Sequence, residues 1–277
     1  MSDSGAVKNP RRDGRRRRGR DPGAFAALLP HLLTTANLAA GFYAIVKAGQ
    51  GEFDRAAIAL FFAAVFDGLD GRAARMARTT SRFGLEYDSI ADTVSFGVAP
   101  AVLAFNAGSY FELGWTGWVM AFTYTACAAL RLARFNVSPG RYEGRFEGLP
   151  SPAAAGVVLS WVLFAGWLGE NGLSLWAPAT LSALGLASLG VLMVSPIPYR
   201  NFKRLHLRGS YWNVVWMVIA STVILMRPEV TFLLIAMTYL FSGPFEVFWR
   251  RRTGTDLELR VQTGETGTKA VPGERHE

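Results

Sequence analysis

The sequence predicts an all-α, polytopic membrane bundle of about eight transmembrane helices, with both termini in the cytoplasm. Three observations carry that expectation. The 277 residues are 51% hydrophobic and 13% aromatic, more apolar than an ordinary soluble domain of this length. Uncharged runs such as Thr93 to Phe111 and Leu175 to Tyr199 are long enough to cross a bilayer. Basic residues recur between the apolar segments so that they gather on one side of a membrane.

The expected spans are 26–48, 55–78, 88–110, 115–136, 152–169, 175–197, 211–227 and 229–249. Pro30 and Pro228 suit the boundaries of the segments they flank. With the N-terminus inside, alternation leaves only Lys47, Arg55 and Arg227 outside, of 29 Lys and Arg residues. A seven- or nine-helix count would put one terminal basic cluster on the wrong face. The pattern therefore predicts a multi-pass protein of the cell membrane.

Residues 1–25 form a basic arm that holds Lys8 and seven arginines. No apolar core with a small-residue cleavage site follows it at signal-peptide length. Beside a spanning segment, such an arm fixes orientation and sits on anionic membrane lipids, and no nucleic-acid partner is expected. Residues 251–277 are polar, with scattered Gly and Thr and no apolar period. Both ends are expected to be disordered, leaving 26–250 as one transmembrane domain. Cys127 is the only cysteine, so no intrachain disulfide can form.

The chemistry concentrates in one stretch. Asp67, Asp70, Gly71, Ala74, Arg75, Gly84, Asp88 and Asp92 read D-x-x-D-G-x-x-A-R and then G-x-x-x-D-x-x-x-D, with four carboxylates inside 26 residues. Positions 67, 70, 71 and 74 share a helix face, and Asp88 and Asp92 stand four apart. Two antiparallel helices could bring all four carboxylates to one point. Carboxylates so gathered repel one another unless a cation holds them, and oxygen-only ligands favour Mg²⁺ or Mn²⁺. Gly71 removes a side chain where something bulky must approach the backbone. Arg75 offers a planar fork for a phosphate.

At all eight positions this pattern resembles the signature of the CDP-alcohol phosphatidyltransferase family. The resemblance implies that a CDP-linked lipid donates its phosphatidyl group to an alcohol and releases CMP, with two Mg²⁺ or Mn²⁺ ions. It implies Asp67, Asp70 and Asp88 as metal ligands, and Asp92 as general base and shared ligand. Asp67, Gly71, Ala74 and Arg75 match the positions that line the CDP pocket, and Gly84 is expected to let the chain turn closely between two helices. A homodimer is implied as well. The aspartates fall at the cytoplasmic ends of the second and third spans, so the site is expected to face the cytoplasm.

The eight-residue pattern is silent on the acceptor, and other segments speak to it. Residues 30–41 read PHLLTTANLAAG, 95–101 SFGVAPA, 130–137 LRLARFNV, 146–156 FEGLPSPAAAG and 195–203 SPIPYRNFK. Together they resemble the branch of the family that joins CDP-diacylglycerol to L-serine, over residues 28–205. His31 stands where the family often has Asn. Thr34 and Asn37 read either as CDP-binding groups or as helix-packing polar residues. Ser95, three residues past Asp92, could face the acceptor. Arg131, Arg134 and Arg200 read either as cations for an acceptor carboxylate or as anchors on the positive face. Gly148, Pro150 and Pro152 read as a rigid loop.

Two alternatives stay open on sequence grounds. One is another acceptor within the family: glycerol 3-phosphate, an inositol compound or an amino alcohol. The other is a cation-coupled transporter, although that class places ionisable groups near the midplane on broken helices. Here the carboxylates cluster toward one face with Gly71 and Arg75.

Overall fold

The computed structural model describes residues 24–77, 81–137, 145–173, 178–200, 222 and 226–253. The expected arm and tail, and most of the span expected at 211–227, lie outside these residues. The first two helices, α1 (Ala24–Gly49) and α2 (Phe53–Ala77), form a hairpin. Gly51 at φ +77° makes the reversal possible. Lys47 Nζ closes it by donating to Glu52 Oε1 at 2.9 Å. Small side chains line the buried seam: Ala44 and Ala48 from α1 meet Ala56, Ala57 and Leu60 from α2. Residues of that size let two apolar helices approach closely.

The third segment is one continuous helical rod with a defect in it. Helix α3 (Arg82–Asp92) runs into a π-helical turn, Thr93–Val98, and then into α4 (Ala99–Ala107). Ser81 caps its start, accepting a hydrogen bond from the Gly84 amide at 2.9 Å. The rod begins six residues before the expected span at 88 and ends three before 110. The π turn has an identifiable support. Pro100 has no N–H to offer the Phe96 carbonyl four residues back. Tyr124 Oη, fully buried, donates to that carbonyl instead, at 3.1 Å. Thr125 Oγ1 donates to the Gly97 carbonyl at 3.3 Å.

Tyr124 and Thr125 belong to α5 (Trp115–Val137), which follows a short 3₁₀ turn at Tyr110–Leu113. Helix α6 (Ser151–Glu170) begins at a Pro150 cap with Pro152 in its first turn, and α7 (Ala179–Val194) packs on α5. A Cβ at Gly190 would stand 2.9 Å from Tyr124 Cα, so α5 and α7 touch backbone to backbone. The last helix is α8 (Pro228–Thr253).

A two-stranded antiparallel ribbon was not expected. Strands β1 (Arg145–Glu147) and β2 (Pro198–Arg200) pair with Phe146 opposite Tyr199. Each is only three residues long, too short to show a period-two pattern in sequence. The ribbon fastens to α8. Pro244 leaves the Leu240 carbonyl without its helical donor, and Tyr199 Oη supplies one at 3.2 Å. Gly243 leaves room for the tyrosine ring. Gly148, at φ +79°, takes the left-handed conformation at the turn into α6, where a Cβ would lie 2.1 Å from the Met193 carbonyl oxygen.

The bundle is all-α apart from this ribbon, and four of its described helical segments are long and apolar enough to cross a membrane: Leu28–Gly49, Arg82–Ala107, Ser151–Glu170 and Pro228–Arg250. Helix α2 is long enough but carries Asp67, Asp70 and Arg72 in its second half, and α7 spans only 16 residues. A cavity of about 1860 Å³ opens at the end of the bundle away from the aspartates, among Gly51–Arg55, Tyr110, Trp161 and Leu186.

Tyr124→Phe tests the support of the π turn. Removing the hydroxyl leaves a buried carbonyl without a donor and should lower stability by about 1–3 kcal/mol. Thermal unfolding of the detergent-solubilised protein, compared with wild type, measures it.

Candidate active site

Three helices build the site. Helix α2 presents Asp67 and Asp70 two to three turns before its end at Ala77, and α3 presents Asp88 and Asp92. The first half of α1 lies against both. One carboxylate oxygen from each of Asp67, Asp70 and Asp88 lies within 4.8 Å of the other two. Asp70 is buried, and the other two are half-buried. Three carboxylates at that separation repel one another in an apolar surrounding. Asp88 Oδ1 is buried and accepts no hydrogen bond among the described residues. An all-oxygen donor set with an unsatisfied buried oxygen suits a hard divalent cation, so the triad fits the metal that the sequence implied.

The neutral donors come from α1. Thr34 Oγ1 donates to Asp70 Oδ2 at 3.0 Å, and Asn37 Nδ2 donates to Asp92 Oδ1 at 3.0 Å. Both donors are buried, Asn37 completely. One helical turn separates them, so a single face of α1 reaches one aspartate on α2 and one on α3. Asp92 stands one turn beyond Asp88 and interacts electrostatically with Asp67, Asp88 and Asp70. Ser95, in the π turn, is fully buried and donates to the Asn37 carbonyl at 3.0 Å. It reaches α1 because Gly41 has no side chain; a Cβ there would lie 2.3 Å from Ser95 Oγ.

The two motif glycines differ. Among the described residues a Cβ at Gly71 would meet no atom within 4 Å. At Gly84 a Cβ would come within 3.1 Å of the His31 ring. The close approach there is between the first turn of α3 and α1, not a turn between α2 and α3. His31 also meets Phe83 edge to face, with centroids 6.0 Å apart. Ala74 and Arg75 lie on the last turn of α2, and their side chains are outside the described residues.

The three arginines separate. Arg131, half-buried on α5, donates from Nη1 to Ser151 Oγ at 3.1 Å. Its buried Nε donates to no acceptor among the described residues. Tyr239 on α8 and Asp92 both interact with its charge. Arg134 points elsewhere: it pairs with Glu147 of β1 and donates to the Val194 carbonyl at the end of α7 at 3.3 Å. Arg200 sits opposite Arg145 in the ribbon, with its side chain outside the described residues. Sequence reasoning missed Ser151 and Tyr239 as neighbours of Arg131. Ser151 stands in the quoted segment 146–156, beside prolines that drew a structural reading. Tyr239 lies in an apolar helix with no motif around it.

Comparison with known proteins bears on the family. A family model described as CDP-alcohol phosphatidyltransferase matches residues 27–248. A CDP-diacylglycerol–serine O-phosphatidyltransferase of Helicobacter pylori is 36% identical over 223 residues, covering 78% of this chain and 89% of the relative. One from Mycobacterium tuberculosis is 31% identical over 233 residues, covering 81% and 80%. An archaetidylserine synthase of Methanothermobacter thermautotrophicus is 36% identical over 176 residues, covering 62% and 69%. A match that runs from α1 to α8 and takes in the whole aspartate cluster means that this chain belongs to the CDP-alcohol phosphatidyltransferase family.

Proposed function

We propose that the protein transfers the phosphatidyl group of CDP-diacylglycerol to the hydroxyl of L-serine, giving phosphatidylserine and CMP. The observation that carries this reading is the convergence of Asp67, Asp70 and Asp88, with Asp92 one turn beyond and in electrostatic reach of the half-buried Arg131. The relatives' names support the acceptor, since bacterial and archaeal relatives alike are named for serine products.

Asp67, Asp70 and Asp88, with Asp92 as a shared ligand, would hold two Mg²⁺ or Mn²⁺ ions. Bound there, such ions neutralise the diphosphate and favour in-line displacement. The chain's own groups do the rest. Asp67, Gly71, Ala74 and Arg75 line the CDP site, with Thr34 behind Asp70. Asp92 takes the proton of the serine hydroxyl as its oxygen bonds to the phosphatidyl phosphorus. The bond from that phosphorus to the CMP oxygen breaks on the opposite side, and CMP leaves. Arg131 pairs with the serine carboxylate and aims the hydroxyl at Asp92. Arg200, across the ribbon, contributes positive charge at the same end, while Arg134 is neutralised by Glu147.

The protein is multi-pass in the cell membrane, with residues 26–250 as its transmembrane domain and the site facing the cytoplasm. The basic arm lies on anionic lipid and the tail stays in the cytoplasm. Two copies form a homodimer.

CMP release from CDP-diacylglycerol tests the reading directly. Release should depend on L-serine, cease with excess EDTA, and return with Mg²⁺ or Mn²⁺. An enzyme that turns over glycerol 3-phosphate and ignores serine would overturn the acceptor assignment. Asp92→Asn should lower turnover by about a thousandfold, to a residual rate, while leaving most of the CDP-lipid affinity in place, because the base serves the acceptor and not the donor.

Arg131→Ala should raise the serine KM by about ten- to a hundredfold, for the loss of a charge-assisted hydrogen bond of about 1.5–3 kcal/mol. The CDP-lipid KM should move much less. Lysine at this position should recover only part, because the planar fork is lost. Steady-state kinetics with each substrate varied in turn distinguishes the two constants.

A further inference from the structure

We infer that Asn37 is a positioning residue for Asp92, held in register by Ser95, and that neither side chain contacts a substrate. The inference rests on the reading of Asp92 as the general base. Its starting point is burial: Asn37 and Ser95 are both fully shielded, whereas Asp67, Asp88 and Asp92 are partly open. A shielded side chain can act on a substrate only through a neighbour.

For Asn37 that neighbour is Asp92. The amide nitrogen donates to Asp92 Oδ1 at 3.0 Å. The amide oxygen is buried and accepts nothing among the described residues. This fixes the orientation of the amide, because turning it over would set Oδ1 against a carboxylate oxygen. The side chain therefore makes its one hydrogen bond to Asp92 and leaves its other polar atom unsatisfied. Pure helix packing would not select that arrangement. The same face of α1 uses Ala44 and Ala48 where packing alone is needed.

Ser95 supplies the second layer. Its hydroxyl donates to the backbone carbonyl of Asn37 at 3.0 Å. The π turn at Thr93–Val98 places Ser95 against α1, and Gly41 opens the space for it. Asp92 immediately precedes that turn. One backbone feature therefore sets both the carboxylate and the hydroxyl that registers its partner. With Oδ1 of Asp92 taken by the amide, Oδ2 remains to receive the proton.

The test is a double-mutant cycle on purified, detergent-solubilised enzyme, with folded protein counted by size-exclusion chromatography. Asn37→Leu keeps the volume and removes the donor. It should lower the single-turnover rate by about a hundredfold at saturating substrates, within the range of a misdirected base. The CDP-diacylglycerol dissociation constant, from calorimetric titration with Mg²⁺ present, should change by less than about threefold. In an Asp92→Asn background the same substitution should cost less than about twofold more, because its partner is already disabled. Should the leucine variant not fold, Asn37→Ser carries the same three measurements with the same expected outcomes. A loss of CDP-lipid affinity matching the loss of rate would make Asn37 a nucleotide contact and overturn the inference. So would a full, additive rate loss in the Asp92→Asn background, or an unchanged rate. If wild-type enzyme is inert with serine, or Asp92→Asn alone is fully active, the underlying reading fails first.

Discussion

The repulsion among Asp67, Asp70 and Asp88 is the constraint around which this bundle is organised. Their oxygens approach within 4.8 Å in a helical assembly whose other walls are mainly Ala, Leu, Val and Phe. In such surroundings like charges interact far more strongly than in water. A cation can relieve the strain, but neutral donors must hold the carboxylates in place for it. Helix α1 provides those donors, from Thr34 to Asp70 and from Asn37 to Asp92. The small-residue seam between α1 and α2 then gains a functional meaning. It sets the α1 donors at hydrogen-bonding distance from carboxylates on two other helices.

Two prolines show how the same bundle tolerates irregular backbone where lipid cannot solvate it. Pro100 orphans the Phe96 carbonyl, and Pro244 orphans the Leu240 carbonyl. A buried tyrosine hydroxyl answers each, Tyr124 in the first case and Tyr199 in the second. An unsatisfied carbonyl in an apolar interior is costly, so each Pro–Tyr pair behaves as a unit. The first unit stabilises the π turn directly after Asp92. The second ties the β1–β2 ribbon to α8, which carries Tyr239 to within range of Arg131. Backbone irregularity, cross-helix hydroxyls and site geometry are thus one design.

Much of this was legible in the sequence. Three aspartates of the D-x-x-D-G-x-x-A-R…G-x-x-x-D-x-x-x-D pattern do converge, because spacings of three and four place residues on one helix face whatever the tertiary context. Helix positions among the described residues were legible for the same reason: long apolar runs are local information. The α1 donors were half legible. Thr34 and Asn37 stood out as polar residues in an apolar helix, but their partners are 36 and 55 residues away, and no spacing rule reaches that far. The three-residue strands, the π turn and the separation of Arg131 from Arg134 were not legible. Each depends on which helix lies alongside, and a sequence period does not encode that.

The separation of the two arginines bears on how a site of this kind discriminates. Arg131 and Arg134 lie three residues apart on α5, nearly one turn, so composition alone treats them as equivalent. Their surroundings do not. Arg134 has a carboxylate, Glu147, and a helix-end carbonyl for its fork, and so braces the ribbon. Among the described residues Arg131 hydrogen-bonds a neutral hydroxyl, Ser151, and interacts with Tyr239 and Asp92. A half-buried guanidinium without a carboxylate bonded to it among the described residues keeps donors for an anion brought by a ligand. A zwitterion such as serine brings one negative charge and one positive charge. Under the proposed assignment its carboxylate meets Arg131. An acceptor bearing a phosphate would place a charge of about −2 there, and in the described interior Arg131 is the cation near Asp92 to balance it. Under the proposed assignment, acceptor choice therefore rests on how many cations share that end of α5, and the bond from Arg134 to Glu147 removes one of them.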